Sequence, residues 1–226
     1  MKLCVLYSGG KDSTAALHEA AKTEEVVCLL SINSKNKESY MFQSAANEIT
    51  KLQAQALGLP LIHWDTKGEK EEELEDLKAA LSFAKETYAI EGLVTGAIHS
   101  AYQSARIQKI CYELQLWCIN PLWETKDEAF VENLLVNKFK IMIVGIFSYP
   151  LDENYLGRIL DEELFQELKE LNKKYHISVA GEGGEMETIV VDAPLFKKRV
   201  KVEAYEKEYK NNCGFLKNIK ARLEEK

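Results

Sequence analysis

Short apolar runs alternate with stretches of helical spacing through the first half of the chain. Residues 2–7, 25–32, 59–64 and 92–96 are brief and almost wholly apolar, the mark of strands buried on both faces. Between them, residues 11–22, 39–57, 68–88 and 102–114 carry apolar side chains three and four positions apart, as amphipathic helices do. Gly58 and Pro60 stop the second helix. The acidic start of the third, 69–76, suits the positive end of a helix dipole and otherwise a solvated face. Strand–helix alternation predicts a parallel α/β sheet with right-handed crossovers. Ligands of such sheets bind beyond the carboxyl ends of the strands. The informative loops are therefore 8–13, 33–41, 65–67 and 97–103.

After Pro121-Leu122-Trp123 the rhythm changes. The pattern predicts a helix over 127–137, a buried strand over 141–147 and a helix over 161–175. A glycine-rich loop follows over 180–187, then a hairpin of 189–192 with 197–205, and a last helix over 215–223. A boundary near 124–127 divides the chain into a domain of residues 1–124 and a smaller α+β domain of residues 125–226.

Composition narrows this picture. The 226 residues are 46% hydrophobic and 29% charged, the balance of a soluble globular protein. The net charge of −7 disfavours non-specific nucleic-acid binding. Lys197-Lys198-Arg199 with Lys201 reads as a solvated strand end. The longest apolar run, 141–147, falls well short of the roughly 20 residues of a membrane span. The start of the chain does not read as a signal peptide. A cytoplasmic protein is expected. Five cysteines, an odd number with no C-x-x-C pair, suggest neither a disulfide framework nor a zinc site. Cys4 and Cys28 read as small core residues, and the histidines are scattered.

Two loops carry chemistry. In Ser8-Gly9-Gly10-Lys11-Asp12-Ser13, a strand turns into a helix. The glycines permit a tight turn and close approach by a ligand. Exposed N–H groups and the helix dipole attract an anion. Ser8 and Ser13 supply hydroxyls and Lys11 supplies charge. Asp12 beside phosphates makes sense mainly as a ligand of Mg²⁺. Val5 and Asp12 stand where a Walker A loop needs Gly and Ser or Thr, so this is a different nucleotide loop. The second loop, Gly181-Glu182-Gly183-Gly184-Glu185-Met186-Glu187-Thr188, suits neither a helix nor a buried strand. It reads as a carboxylate-presenting loop for a cation, a metal or an amine, or else as a solvated turn.

The first loop closely resembles the PP-loop of the N-type ATP pyrophosphatases, which cleave ATP at its α-phosphate. The wider pattern resembles the diphthine–ammonia ligase family. It comprises SGGKDS at 8–13, SYMF at 39–42, GAIHSAYQSARI at 96–107, NPLW at 120–123, LGR at 156–158, GEGGEMET at 181–188 and DAPLFKKR at 192–199. The blocks run through almost the whole chain. The first marks only the superfamily; the Ser100, Tyr102, Gln103, Arg106 block and the 181–188 loop are much narrower. Met186 stands where the family often has Phe or Tyr. The resemblance implies a HUP-like, Rossmann-like ATP pyrophosphatase domain and a smaller substrate-binding domain. The implied reaction takes ATP, ammonia and the diphthine residue of translation elongation factor 2 to diphthamide, AMP and pyrophosphate.

Residue roles follow as expectations. Ser8, Gly9, Gly10, Lys11, Asp12 and Ser13 hold ATP, with the adenine near Ile32 and Gly96. Tyr40, Met41 and Phe42 either cover the base or pack their helix on the sheet. Ser100, Tyr102, Gln103 and Arg106 meet the substrate together with Glu182, Gly183, Gly184, Glu185 and Glu187. Lys11, Asp12, Arg106, Glu182 and Glu185 form the catalytic set. Arg106 binds phosphate or adenylate, or forms a surface salt bridge. The glutamates face diphthine's trimethylammonium, and Tyr102 or Trp123 adds cation–π attraction of about 0.5–2 kcal/mol. For Trp123, beside Pro121-Leu122, a core position is the stronger reading. No cysteine sits where glutamine hydrolysis needs one, so free ammonia is the expected nitrogen donor. Sulfur transfer lacks its paired cysteines. The alternative is amidation of a small-molecule carboxylate related to cobalamin; a non-catalytic nucleotide sensor is a further rival. The sequence is compatible with a homodimer and otherwise silent on assembly.

Overall fold

The computed structural model describes residues 1–34, 47–66 and 72–226. Tyr40, Met41 and Phe42 lie outside the described residues, as do the predicted starts of the second and third helices. The chain forms two compact units, Met1–Glu124 and Thr125–Lys226.

The first unit runs β1 (Lys2–Leu6), α1 (Lys11–Ala20), β2 (Glu25–Ser34), α2 (Asn47–Leu57), β3 (Leu61–Thr66), α3 (Glu72–Tyr88), β4 (Gly92–Val94), α4 (Ala101–Glu113) and β5 (Trp117–Ile119). All five strands are parallel, in the order β3-β2-β1-β4-β5. This is a Rossmann-like doubly wound sheet, and the strand order reverses between β1 and β4. The apolar runs bury Leu3, Cys4, Val5, Cys28, Leu29, Leu30 and Leu93 completely. Leu77, Ala80, Leu81 and Ala84 of α3 close one face, the stripe that the helical spacing predicts. Residues 117–119 were not predicted as a strand. As the sheet's border, β5 is only partly buried, with Trp117 69% exposed, and its three apolar residues are too few to stand out as a strand.

The second unit runs α5 (Asp127–Val136), β6 (Lys140–Ile146), α6 (Glu162–Tyr175), β7 (Met186–Asp192), β8 (Lys198–Lys210) and β9 (Cys213–Glu225). Its antiparallel sheet has the order β7-β6-β9-β8. Two sequence expectations fail here. The segment 189–192 does not pair with 197–205; β7 pairs instead with β6, whose fully apolar run occupies the centre of the sheet. The helix expected over 215–223 is strand β9. Its Leu, Lys, Ala, Arg and Glu residues favour helix locally, but pairing with β8 along its whole length overrides that preference. The strands turn through Asn211 and Asn212, both at positive φ (53° and 59°), the conformation of a two-residue type I′ hairpin. Arg199–Glu224 (2.5 Å) and Arg222–Glu203 (2.6 Å) tie the ribbon across, and Lys198 and Lys201 also pair with Glu225 and Glu224. The basic stretch is thus a self-neutralised strand end.

A candidate ATP site and an acidic loop

The loop of residues 8–13 leaves β1 at the point where the strand order reverses. The ladder continues one residue past the strand, with the Tyr7 N–H donating to the Leu30 carbonyl at 2.8 Å. Gly9 then takes φ +80°, where a side chain would be strained. Gly10 is the N-cap of α1 and brings no side-chain cap. The first-turn N–H groups have no intrahelical acceptor, and the dipole adds positive potential. Around this mouth the Ser8 and Ser13 hydroxyls stand 3.2 Å apart, and the Ser8 N–H donates to the Ser13 Oγ at 3.3 Å. The Thr14 hydroxyl donates to the Gly10 carbonyl at 2.8 Å and fastens the first turn. Lys11 is buried, only 4% exposed, and its Nζ reaches both Asp12 oxygens at 2.8 and 2.9 Å. Anion donors and one carboxylate therefore converge on a single loop.

Gly96 follows β4 across the switch point. A Cβ there would lie 2.7 Å from the Ser13 nitrogen and 2.8 Å from the Asp12 carbonyl carbon. The missing side chain thus lets the start of α1 seat against the end of β4. The Ile32 side chain lies in the hydrophobic core with Leu30 and Ile62.

Two further residues order this end of the sheet, and sequence reasoning missed them. Gln53 of α2 is fully buried and donates from Nε2 to the Gly9 carbonyl at 2.8 Å. Asn120, just past β5, accepts from the Thr95 hydroxyl at 2.6 Å and donates to the Ser104 hydroxyl at 3.0 Å. It ties the exits of β4 and β5 to α4. Asn120 lay within the NPLW block, so a signal existed; Gln53 sits in an ordinary amphipathic helix and gave none.

On α4, Ser100 is the N-cap, its hydroxyl accepting from the Gln103 N–H at 3.4 Å. One turn on, the Arg106 guanidinium lies 3.8 Å from the centre of the Tyr102 ring, which is 39% exposed. Arg106 also lines a cavity of about 680 Å³ between α3 and α4 with Glu75, Asp76 and Lys78. Its guanidinium thus packs on the ring of Tyr102, one turn back on the same helix. Trp123 is 39% exposed while Leu122 beside it is buried, so the expected core tryptophan is a surface one.

In the second unit, the 181–188 loop is wound on two side chains, its own Glu185 and Ser178 just before it. The Glu185 carboxylate accepts from the Ser178 N–H at 2.8 Å and the Gly183 N–H at 2.9 Å, and the residue is 9% exposed. The Ser178 hydroxyl accepts from the Ala180 and Glu182 N–H groups, both at 3.1 Å, and donates to Asp127. Gly181 and Gly184 take φ +75° and +82° to close these turns. The expectation of three carboxylates all facing a ligand is therefore corrected. Glu185 turns inward and shapes the loop, because the closely wound backbone N–H groups need an acceptor. Glu182 is half-buried at the loop's start. Glu187 is half-buried on β7 opposite Gly145, and desolvation pushes its carboxyl up to about 7. Phe147 packs beside it: a Cβ on Gly145 would meet the Phe147 ring at 2.8 Å and the Glu187 Cβ at 3.1 Å. Among the described residues, no three His, Cys, Asp or Glu side chains cluster so as to hold a metal ion. No helix among them is long and apolar enough to cross a membrane.

A doubly wound sheet with a glycine-rich anion loop at its switch point defines a nucleotide-binding α/β class. Comparison with known proteins narrows the class. Residues 1–117 match the diphthamide synthase N-terminal domain and residues 126–223 the diphthamide synthase C-terminal domain. The chain belongs to the diphthamide synthase family. It is 34% identical over 226 residues to the mouse diphthine–ammonia ligase, covering 91% of this chain and 84% of the relative. The zebrafish diphthine–ammonia ligase is 32% identical over 251 residues, covering 100% of this chain and 98% of the relative. Among solved structures, a Methanocaldococcus jannaschii chain described as a predicted subunit of tRNA methyltransferase is 19% identical. It covers 86% of this chain and 98% of that one, with a TM-score of 0.47. With its relatives, the chain is a ligase that forms a C–N bond.

Proposed function

We propose that the protein amidates the diphthine residue of elongation factor 2 with ammonia, using ATP and passing through an acyl-adenylate. The observation that carries this reading is the 8–13 loop at the sheet's switch point. Its uncapped helix start, two hydroxyls and buried lysine suit a triphosphate. In this reading Ser8, Gly10 and Ser13 cradle the phosphates, and Lys11 neutralises the charge that builds up as pyrophosphate leaves. The diphthine carboxylate attacks the α-phosphorus, and ammonia then displaces AMP from the activated carbonyl. A free carboxylate is a poor electrophile, and adenylation gives it a leaving group.

Asp12 fits a role beside Mg²⁺, since that ion is held by one or two carboxylates plus phosphate oxygens. When bound there, Mg²⁺ would offset triphosphate charge. In the second unit, Glu182 and Glu187 are the carboxylates we assign to diphthine's trimethylammonium, with Glu185 holding their loop in shape. Glu187 suits a cationic ligand because burial makes its charge costly until a counter-charge arrives. Ser100, Tyr102, Gln103 and Arg106 are the residues of the first unit that we assign to the substrate.

Labelled ATP, ammonium and diphthine-bearing elongation factor 2 test the reading. AMP and pyrophosphate should form in step with conversion of the diphthine carboxylate to an amide. Lys11→Ala and Asp12→Ala should each lower the rate by at least about 100-fold, as loss of transition-state electrostatics does. Release of ADP, or near-normal turnover in both variants, would overturn the assignment.

A further inference from the structure

Gln53 stands 44 positions from the loop it touches and has no part in the motifs above. Its side chain is fully buried, and its Nε2 donates to the Gly9 carbonyl at 2.8 Å. The contact is close on every side. A Cβ on Gly9 would lie 2.2 Å from the Gln53 Oε1 and 3.0 Å from the Thr50 Cγ2, so one face of α2 rests directly on the loop. Gly9 at φ +80° lies in a region where glycine can adopt more than one peptide orientation. The loop therefore does not select its own geometry; an outside donor can.

The planar trans peptide makes that selection consequential. The Gly9 carbonyl and the Gly10 N–H lie in one peptide plane and point in opposite directions. Drawing the carbonyl toward α2 turns the Gly10 N–H away from α2. It then faces the Ser8 hydroxyl at 3.4 Å, in the mouth where the Ser8 and Ser13 hydroxyls meet. We propose that Gln53 is a positioning residue for the anion loop, holding the Gly9–Gly10 peptide so that the Gly10 N–H faces a bound phosphate. A flip of this peptide would place a carbonyl oxygen in the mouth instead, and a carbonyl repels phosphate. The inference rests on the reading of the loop as an ATP site.

The test uses the full chain and two variants. Gln53→Met keeps the volume and removes the donor. Gln53→Glu keeps the shape but can donate only when protonated. ATP affinity is measured by calorimetry, with KM for ATP and for diphthine-bearing elongation factor 2 in the coupled reaction and thermal unfolding as a control. Gln53→Met should weaken ATP binding by about 5- to 50-fold, the effect of losing one oriented donor. Its KM for the protein substrate should stay within about 2-fold on the same basis. Gln53→Glu should bind ATP poorly at high pH and regain affinity as its carboxyl protonates, more steeply than the wild-type protein does. Because a carboxylate also repels phosphate directly, recovery at low pH should overshoot the neutral Gln53→Met variant and approach wild type.

Several outcomes overturn the proposal. One is wild-type ATP affinity in a folded Gln53→Met; another is a parallel rise of both KM values in step with lost stability, which marks a merely structural glutamine. If Gln53→Met does not fold, a Gln53→Glu affinity that is equal to wild type at every pH overturns it as well. Failure of the wild-type protein to bind ATP would instead sink the functional reading itself.

Discussion

At the residue scale, the three glutamates of the 181–188 loop differ far more than their spacing suggests. Glu185 is consumed by two backbone donors, whereas Glu187 is half-buried with its carboxyl raised to about 7 by desolvation. That shift has a stability consequence of definite sign. The folded state holds the Glu187 proton more tightly than the unfolded chain does. Below the ordinary carboxyl range both states are protonated, and the residue costs nothing. As pH rises from about 4.5 toward 7 the unfolded chain ionises first, and stability falls by up to about 1.4 kcal/mol per unit. Glu187→Gln should remove this cost. Thermal unfolding should show the variant more stable than wild type by about 1–3 kcal/mol at pH 8, with the difference closing near pH 4.5. An equal gap at both pH values would mean that desolvation of the charge is not what the residue suffers. A bound cation should erase the difference too, by giving the carboxylate its missing partner.

At the element scale, the β8–β9 ribbon is where local preference and tertiary outcome diverge most. Residues 215–223 have good helix formers, yet they form a strand because β8 supplies pairing and opposite charges along the full length. The turn deciding this is Asn211-Asn212, whose positive φ values suit a type I′ hairpin. Replacing both with alanine should cost about 1–2 kcal/mol, since the short polar side chain of asparagine tolerates the left-handed region that alanine disfavours. Asn212→Gly should be neutral or stabilising. Urea unfolding of the intact chain, read by circular dichroism, measures both. If the alanine pair is neutral, the register is set by strand pairing alone. The same scale explains the missed β5. A three-residue border strand is too short to stand out from the helix before it, and its pairing with β4 exists only once the sheet is assembled.

At the scale of the whole molecule, the two units divide the labour we propose for them. The first carries the phosphate loop and a complete parallel sheet; the second carries the acidic loop on an antiparallel one. Residues 1–124 expressed alone should therefore bind ATP within about 10-fold of the full chain yet form no amide. Calorimetry and product analysis check the two halves of that statement. Undiminished amidation by the first unit alone would remove the second from substrate binding.

Sequence alone determined the parallel α/β first half, the anion loop at a strand end and the family. These are local matters: apolar runs, glycines at a turn, and motif blocks in order. It also marked which short segments carry chemistry. Only the tertiary structure decided that the 8–13 loop sits where the strand order reverses, because strand order is a relation between distant segments. It alone turned Glu185 inward and left Glu187 half-buried with its ionisation opposed by desolvation, since which carboxylate a loop wraps depends on donors brought in by Ser178 and Gly183. It alone revealed Gln53 on the Gly9 carbonyl. A buried amide in a helix looks like any other glutamine until packing shows which peptide it holds.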